Sequence, residues 1–153
     1  MSEWHRDGDL AVMERQIDEW LAGFKADHDV VADVQRGEGD ERRWYVRMRG
    51  TEKDVTTVWL LLGQRTLKYE TYFVAAPEEN QAAFYEHLLR RNDKLVGAHF
   101  SIGVEDAVFL RGEVPIGALD QDELDRILGS LYAYVEQCFR PALRIGFASR
   151  FTA

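Results

Sequence analysis

One alternating segment holds the main local concentration of basic side chains in this sequence. Residues 42–49 read RRWYVRMR, so large apolar residues at 44, 46 and 48 alternate with polar ones. Because successive side chains of a strand point to opposite faces, this alternation predicts a half-buried β-strand. Its outward face carries Arg43, Tyr45, Arg47 and Arg49. Guanidinium groups bind carboxylates through paired N–H donors, which makes this row a candidate contact for an acidic peptide or ligand.

The same arginines also have a purely structural interpretation. Arg36 and Arg42 lie nearby and add to the basic concentration. The outward positions of neighbouring predicted strands carry Lys68, Glu70, Arg111 and Glu113. Cross-strand ion pairs are common on such faces, so a solvated and charge-balanced surface is the more frequent arrangement.

Outward-facing aromatic residues extend the candidate surface. Tyr45 and Tyr72 are predicted to point away from the core, and Trp4 lies near the N-terminus. Single exposed aromatic side chains are ordinary, whereas a contiguous patch indicates a contact surface. The candidate binding residues are therefore Arg43, Tyr45, Arg47, Arg49, Tyr72 and Arg111.

No catalytic or metal-binding pattern is visible in the sequence. The four histidines His5, His28, His87 and His99 lack partners at ligand spacing, and no C-x-x-C pair occurs. Cys138 lies on an apolar helical stripe, where a free cysteine is typically an inert core residue. We therefore predict no catalytic residue, no metal site and no cofactor, and a protein that is not an enzyme.

Composition limits the classes of partner. The 153 residues carry a net charge of −8, which argues against general binding to nucleic acid or to an anionic membrane. A single cysteine rules out an intrachain disulfide and suits a reducing compartment. The N-terminus lacks the apolar region of a secretion signal, and runs such as VWLLL are too short to span a bilayer. We expect a cytoplasmic protein with one domain over residues 1–153.

The hydrophobic periodicity predicts nine elements in the order α-β-β-β-β-α-β-β-α. The predicted helices cover residues 9–24, 77–92 and 120–140, and the predicted strands cover 30–36, 42–49, 55–62, 66–75, 96–103 and 107–114. We expect Pro77 at the first position of the second helix and a kink or end of the last helix at Pro141. Three helices covering the apolar face of an antiparallel sheet define a two-layer α+β sandwich, whose strand order the pattern leaves open.

Several side-chain orientations follow from the same periodicity. Val30, Ala32 and Val34 are predicted to share one strand face, and Phe100 and Ile102 another. The inner stripe of the middle helix is predicted to comprise Phe84, Tyr85, Leu88 and Leu89. The last helix has more apolar positions than one stripe needs, around Tyr132, Tyr134 and Phe139. This excess fits either contact with a second copy or a helix covered on two sides within the chain.

Two stretches of the sequence resemble a known bacterial family. They are AFYEHLLRRNDKLVGAHFSIGVEDAVFLRGEVPI, residues 83–116, and LDQDELDRILGSLYAYVEQCFRPALRIGFAS, residues 119–149. The features that carry the resemblance are the LLRRN run at 88–92, FSI at 100–102, EVPI at 113–116, ELDRIL at 123–128 and the closing Gly146-Phe147. The chain resembles the YbjN family, labelled as sensory transduction regulators, over about residues 10–147.

The resemblance implies a fold similar to type III secretion chaperones of the Tir-chaperone kind, which often pair as homodimers. The matching positions are structural, so they imply a fold and transfer no catalytic residue. Our first hypothesis is a cytoplasmic interaction module that holds an extended protein or peptide segment on its sheet face or edge. The resemblance implies that this module is a homodimer. The alternative is a small-molecule sensor or enzyme with a pocket between helices and sheet. Nucleic-acid binding ranks last because of the net charge.

Overall fold

The computed structural model describes residues 7–151, so Trp4 and His5 lie outside the described residues. Three helices and six strands follow the predicted order. The helices are α1 (Asp7–Asp27), α2 (Gln81–Asn92) and α3 (Gln121–Gly146). The strands are β1 (Val31–Arg36), β2 (Arg42–Arg49), β3 (Val55–Leu62), β4 (Thr66–Val74), β5 (His99–Ile102) and β6 (Val108–Pro115).

The six strands form one antiparallel sheet in the order β1-β2-β3-β4-β6-β5. The first four strands form a meander, and β6 returns beside β4, which leaves β5 at the outer edge. All three helices pack against one face, so the predicted two-layer α+β sandwich is confirmed. No helix within residues 7–151 combines the length and apolar character that a bilayer span requires.

The core fills the space between the helices and the sheet. Alternate residues of β2 and β3 point into it, and Trp44, Val46, Val58 and Leu60 are all at most 1% exposed. Helix α3 contributes the longest buried stripe: Leu124, Ile127, Leu128, Leu131, Val135, Cys138, Ala142 and Gly146. Among the described residues this space is occupied by apolar side chains, which counts against a ligand pocket between helices and sheet.

The last helix does not end at Pro141, which was one of the two outcomes predicted there. Helix α3 continues through Pro141 to Gly146. Proline removes one helical hydrogen bond and costs roughly 3 kcal/mol in a helix interior. Cys138 and Ala142 are fully buried on either side of it, so packing of the apolar stripe holds the helix together. The carbonyl freed by the proline belongs to Gln137, whose exposed position lets water bind it.

Helix α2 begins at Gln81 and not at Pro77. Asn80 adopts a left-handed conformation with φ of 54°, which separates the preceding segment from the helix. The backbone N–H groups of Glu78 and Glu79 donate to the carbonyl of Gly146 at 2.9 and 3.1 Å, and the Asn80 amide donates to the carbonyl of Ile145 at 2.9 Å. The segment that was predicted as a first helical turn therefore caps the C-terminus of α3.

Two predicted side-chain orientations are also wrong. A register shift between Val31 and Asp33 turns Val31 into the core and leaves Ala32 exposed. Leu89, expected in the inner stripe of α2, is 69% exposed. Ile102 shares its strand face with Phe100 as predicted, but it is 54% exposed. Leu89 and Ile102 both lie at the edge of the molecule where α2 meets β5, beyond the area that α3 covers.

Candidate functional site

The face of the sheet opposite the helices has no covering layer among residues 7–151. We call it the uncovered sheet face and define it by the outward residues of β2, β3, β4 and β6. A transverse row crosses it, because Tyr45 pairs with Trp59, Trp59 with Glu70 and Glu70 with Arg111. The side chains of such directly opposed residues lie about 5 Å apart, so the row forms a continuous strip across four strands.

Aromatic side chains lie at the centre of this face. The rings of Tyr45 and Trp59 meet edge to face, with centroids 6.2 Å apart. Both side chains remain half-buried even though no helix covers them. An open groove of about 420 Å³ runs beside Trp59. Its outward lining residues are Arg43, Trp59, Leu61, Lys68, Glu70, His99, Arg111 and Glu113. The groove therefore has an apolar floor and a charged rim.

The predicted binding residues all lie on or beside this face, and three of the six already make an ion pair or a side-chain hydrogen bond. Arg43 pairs with Glu41 at 2.6 Å, and Arg49 donates to the carbonyl of Asp29. Tyr45, Arg47 and Tyr72 make no side-chain ion pair or hydrogen bond with another residue of 7–151. Only Arg47 among the candidate arginines therefore keeps its N–H donors free.

The Arg111 guanidinium is held by three contacts. It donates to Glu70 at 2.6 Å and to the Ser101 hydroxyl at 3.0 Å, and it lies 4.5 Å from the centroid of the Phe109 ring. Tyr72 meets the same Phe109 ring edge to face at 5.7 Å. The structural interpretation, in which neighbouring strands balance the charge, therefore holds for Arg111. On β2, Glu41 balances Arg43 at 2.6 Å and Asp33 of β1 lies opposite Arg47, whereas the carboxylates of β4 and β6 lie beyond β3.

The basic concentration predicted around β2 divides between the two faces of the sheet. Arg36 and Arg42 point to the helix side, where both bind Glu14 of α1, Arg42 at 2.8 Å. These hydrogen bonds, of which the one from Arg36 has the largest effect, outweigh the desolvation of the carboxylate and lower the pKa of Glu14. Arg36 also stacks on Trp44 at 4.8 Å. These two arginines fasten α1 to the sheet and do not contribute to the uncovered face.

Sequence reasoning missed two residues at the centre of the face. Trp59 and Leu61 belong to the run VTTVWLLL, which was interpreted as a central strand because it is almost continuously apolar. Its burial alternates in the structure, and Trp59 and Leu61 are half-exposed. An uninterrupted apolar run, on a sheet that helices cover on one face only, was the signal that apolar side chains also lie on the other face. Lys68 was considered only as a balancing charge, and it lines the groove.

The two edges of the sheet are protected against strand addition. At the β5 edge, the Asn92 side chain accepts from the N–H of Phe100 at 2.6 Å and donates to its carbonyl at 3.2 Å. It thereby occupies the outward backbone groups that an added strand would use. At the opposite edge, the register shift in β1 disturbs the regular spacing of backbone groups. The face is therefore better suited than the edges to hold an extended segment.

A second, separate apolar groove of about 250 Å³ lies between α2 and β5. Its apolar lining comprises Tyr85, Leu88, Leu89, Phe100, Ile102 and Val108. Val104, which is 70% exposed, follows directly after β5. The α2 end beyond Leu89 carries Arg90 and Lys94, and the turn after β5 carries Glu105 and Asp106. The α2 end beyond the groove thus carries two cations, of which Arg90 pairs with Glu86 at 3.0 Å, and the turn after β5 carries carboxylates. We call this groove the α2–β5 groove.

The excess apolar positions of the last helix are used within the chain. The Tyr132 hydroxyl donates to the carbonyl of Arg49 at 2.8 Å, and the Tyr134 hydroxyl accepts from the N–H of Val96 at 3.1 Å. Phe139 meets Phe73 edge to face at 6.0 Å. Helix α3 is therefore covered on two sides by its own chain.

The titratable core residues have pKa values that follow from burial. Burial raises the pKa of the Cys138 thiol, which keeps the thiol protonated. Burial lowers the pKa of His87, and the positive charge of the nearby Arg91 lowers it further. Within residues 7–151 no cluster of three or more His, Cys, Asp or Glu side chains is arranged to hold a metal ion. Cys138 and His87 lie apart from the charged groups that line the groove beside Trp59.

A six-stranded antiparallel sheet backed by three helices on one face defines a two-layer α+β sandwich. The chain belongs to the YbjN family, whose description is "Putative bacterial sensory transduction regulator" and whose profile matches residues 15–144. The resemblance deduced from residues 83–116 and 119–149 is thereby confirmed.

Uncharacterised mycobacterial proteins are among the relatives in sequence. Proteins of Mycobacterium tuberculosis and Mycobacterium bovis are 32% identical over 104 residues, and one of Mycobacterium leprae is 30% identical over 107 residues. These matches cover 68–70% of this chain and 57–58% of the relatives. The match thus spans little more than half the length of these relatives.

Two solved complexes share the fold. One is the heterodimeric ExoU–SpcU complex from the type III secretion system of Pseudomonas aeruginosa, with a TM-score of 0.54 and 16% identity over 82% of this chain and 98% of the other. The other is the ExsC–ExsE complex, with a TM-score of 0.54 and 19% identity over 83% and 93%. The predicted likeness to type III secretion chaperones is confirmed at the level of fold.

Proposed function

We propose that this protein is a non-enzymatic, protein-binding regulatory module that holds an extended segment of a partner on the uncovered sheet face. The observation that carries the proposal is the Tyr45–Trp59 pair, two half-buried aromatic side chains at the centre of a face without a covering layer. Aromatic residues are enriched at the centres of protein interfaces because they bury a large area and lose little conformational freedom. The family description and the two complexes of similar fold support a role in protein binding.

The protection of both edges supports the face as the binding surface. Asn92 blocks the backbone of Phe100 at one edge, and the irregularity at Ala32 interrupts the other. Strand addition needs a row of free, evenly spaced backbone donors and acceptors. A face needs only exposed side chains, and here Arg47, Trp59 and Lys68 supply donors and apolar area.

Partner capture with point variants tests this proposal. We expect Trp59→Ala and Arg47→Glu each to retain the fold. Each variant should capture at least tenfold less of the partner that the wild type captures from its native cell. Lys25→Glu is the matched control, since it makes the same kind of charge change on the exposed side of α1. Capture of the same partner in equal amounts by all four proteins contradicts the proposal.

We further propose that the protein acts in the cytoplasm as a homodimer joined through the α2–β5 groove. A twofold axis near the groove brings the basic end of one copy, with Arg90 and Lys94, against the acidic end of the other, with Glu105 and Asp106. The exposed Leu89 side chain supplies apolar area at the centre. Because Asn92 blocks the edge, the contact uses side chains and not strand pairing.

Solution mass tests the dimer separately from partner binding. We expect the wild type to sediment as a dimer of 17.7 kDa chains and Leu89→Glu to sediment as a monomer. Val12→Glu is the control, because Val12 is 48% exposed on α1, away from the groove. A wild type that stays monomeric at high concentration, or a Leu89→Glu variant that stays dimeric, contradicts this assignment.

A further inference from the structure

Two cations on the uncovered sheet face make neither an ion pair nor a side-chain hydrogen bond with another described residue, and they flank Trp59. Arg47 and Lys68 are exposed, and neither makes an ion pair or a side-chain hydrogen bond with another residue of 7–151. The other cations of the face are engaged: Arg43, Arg49 and Arg111. An acidic ligand would therefore find free N–H donors at two defined points.

Each free cation faces a carboxylate across the strand ladder, and that carboxylate is bonded elsewhere. Asp33 lies opposite Arg47, and Glu113 lies opposite Lys68. Asp33 accepts from a glutamine amide at 2.7 Å, and Glu113 accepts from a threonine hydroxyl at 3.0 Å. The two acids weaken the positive potential locally, but they leave the donors of both cations unoccupied.

The sheet register sets the separation of the two cations. Arg47 lies opposite Thr57 of β3, and Lys68 lies opposite Leu61, so Trp59 is midway between them. The two backbone positions are two strand spacings apart across the sheet and four residues apart along it. With about 4.8 Å between strands and about 3.4 Å per residue, they are about 17 Å apart on a diagonal over Trp59.

An extended peptide matches this arrangement with a simple pattern. Side chains on one face of an extended chain are two residues apart, so positions i and i+4 are about 14 Å apart. The length of the Arg47 and Lys68 side chains covers the remaining distance of about 3 Å, and position i+2 then lies over Trp59. We propose that the uncovered sheet face recognises an extended partner segment with acidic residues at i and i+4 and an apolar residue at i+2. This inference rests on the proposed function and specifies the chemistry of the partner.

Neither cation is sufficient alone. An exposed ion pair contributes about 0–1 kcal/mol, which is less than tenfold in affinity. Two such pairs and a side chain packed on Trp59 act together only when the spacing of the ligand matches that of the sheet. The arrangement therefore predicts selection by spacing, and not a general preference for acidic peptides.

Fluorescence anisotropy with labelled synthetic peptides tests the pattern. The matched peptide is eight residues long, with glutamate at i and i+4, leucine at i+2 and threonine elsewhere. A rearranged peptide of identical composition places the two glutamates next to each other. We expect the rearranged peptide to bind the wild type at least fivefold more weakly. We expect Arg47→Glu and Lys68→Glu each to weaken the matched peptide at least fivefold, while Lys25→Glu leaves it unchanged.

A charge exchange completes the test. A peptide with lysine in place of both glutamates should bind the R47E/K68E double variant at least fivefold better than it binds the wild type. Equal binding of matched and rearranged peptides, or no binding of either at millimolar concentration, overturns the spacing pattern. If the native partner is nevertheless lost on Trp59→Ala, the pattern is wrong and the proposed function stands. If Trp59→Ala also retains the native partner, both are wrong.

Discussion

The Asn92 side chain binds both backbone polar groups of Phe100, with its Oδ1 atom 2.6 Å from the Phe100 nitrogen and its Nδ2 atom 3.2 Å from the carbonyl oxygen. Asn92 is the last residue of α2, and Phe100 lies in the edge strand β5. One side chain therefore joins the helix to the sheet and closes the middle of an exposed edge. This contact directs partners away from strand addition and toward side-chain surfaces.

Replacing Asn92 should lower stability and expose the edge. Asn92→Ala leaves the N–H and carbonyl of Phe100 without their partner, and we expect a loss of about 1–3 kcal/mol in the free energy of unfolding. Urea unfolding measures that loss. The freed strand edge should also cause concentration-dependent association of Asn92→Ala. This association should persist in a double variant that also carries Leu89→Glu. Gln137→Ala, an exposed change of similar size on α3, should show neither effect.

The carboxylate of Glu136 fixes the turn between β2 and β3. It accepts from the backbone N–H groups of Thr51 at 2.5 Å, Glu52 at 3.2 Å and Lys53 at 3.1 Å. Glu136→Gln replaces one acceptor oxygen by a donor that opposes these N–H groups. We expect a loss of about 1–3 kcal/mol in the free energy of unfolding, measured by urea denaturation at neutral pH.

The same carboxylate predicts a pH dependence. Burial acts to raise the pKa of Glu136, but the three backbone N–H bonds outweigh it, and the pKa lies below the ordinary value of 4.5. A carboxyl with a lowered folded-state pKa stabilises the fold fully above its unfolded-state pKa and loses that contribution as pH falls through the folded-state pKa. The stability difference between wild type and Glu136→Gln should therefore shrink as pH falls below about 4.5. A difference that stays constant from pH 7 to pH 3 contradicts this assignment.

Two glycines should respond in opposite directions to alanine. A Cβ atom at Gly112 would lie 2.3 Å from the carbonyl oxygen of Gly97 and 2.5 Å from the Tyr69 ring. We expect Gly112→Ala to cost about 1–3 kcal/mol, since backbone on one side and a buried ring on the other leave no room. A Cβ at Gly129 of α3 meets nothing within 4 Å, so Gly129→Ala should stabilise the helix by up to about 1 kcal/mol. Thermal unfolding of both variants checks the two signs.

The Cys138 thiol should be unreactive in the folded protein. It is fully buried, and burial raises its pKa, so the reactive thiolate is scarce. An aromatic disulfide reagent should modify it at least a hundredfold more slowly in buffer than in denaturant. Rapid modification of the folded protein contradicts the assignment of Cys138 to the core.

Local patterns in the sequence predicted the elements well, because alternation along β2 and β4 and the stripe of α3 depend on neighbouring residues only. Strand order could not be predicted, since pairing of Trp59 with Tyr45 and Glu70 joins residues from three separate segments. Because the strand order was unknown, the central position of Trp59 on the sheet could not be predicted. The predicted ends of helices and strands were wrong where a contact with a distant part of the chain determines the end.

Two examples show the limit in physical terms. Pro141 stays within a helix because buried neighbours on both sides hold it, which local propensity does not reveal. Arg36 and Arg42 were counted in the same basic concentration as the outward arginines, but both bind Glu14 of α1 on the helix side. Both outcomes depend on packing between elements and not on the pattern within one. The binding role of the six candidate residues remains a prediction.

Photo-crosslinking from the centre of the uncovered sheet face tests the central claim most directly. A photoreactive phenylalanine analogue replaces Trp59 in one protein and Val12, on the exposed side of α1, in another. In the native cell we predict a defined partner adduct from position 59 and none from position 12, with the crosslinked partner residues in an extended acidic segment. An adduct that forms only from position 12, or equally from both positions, would contradict the account.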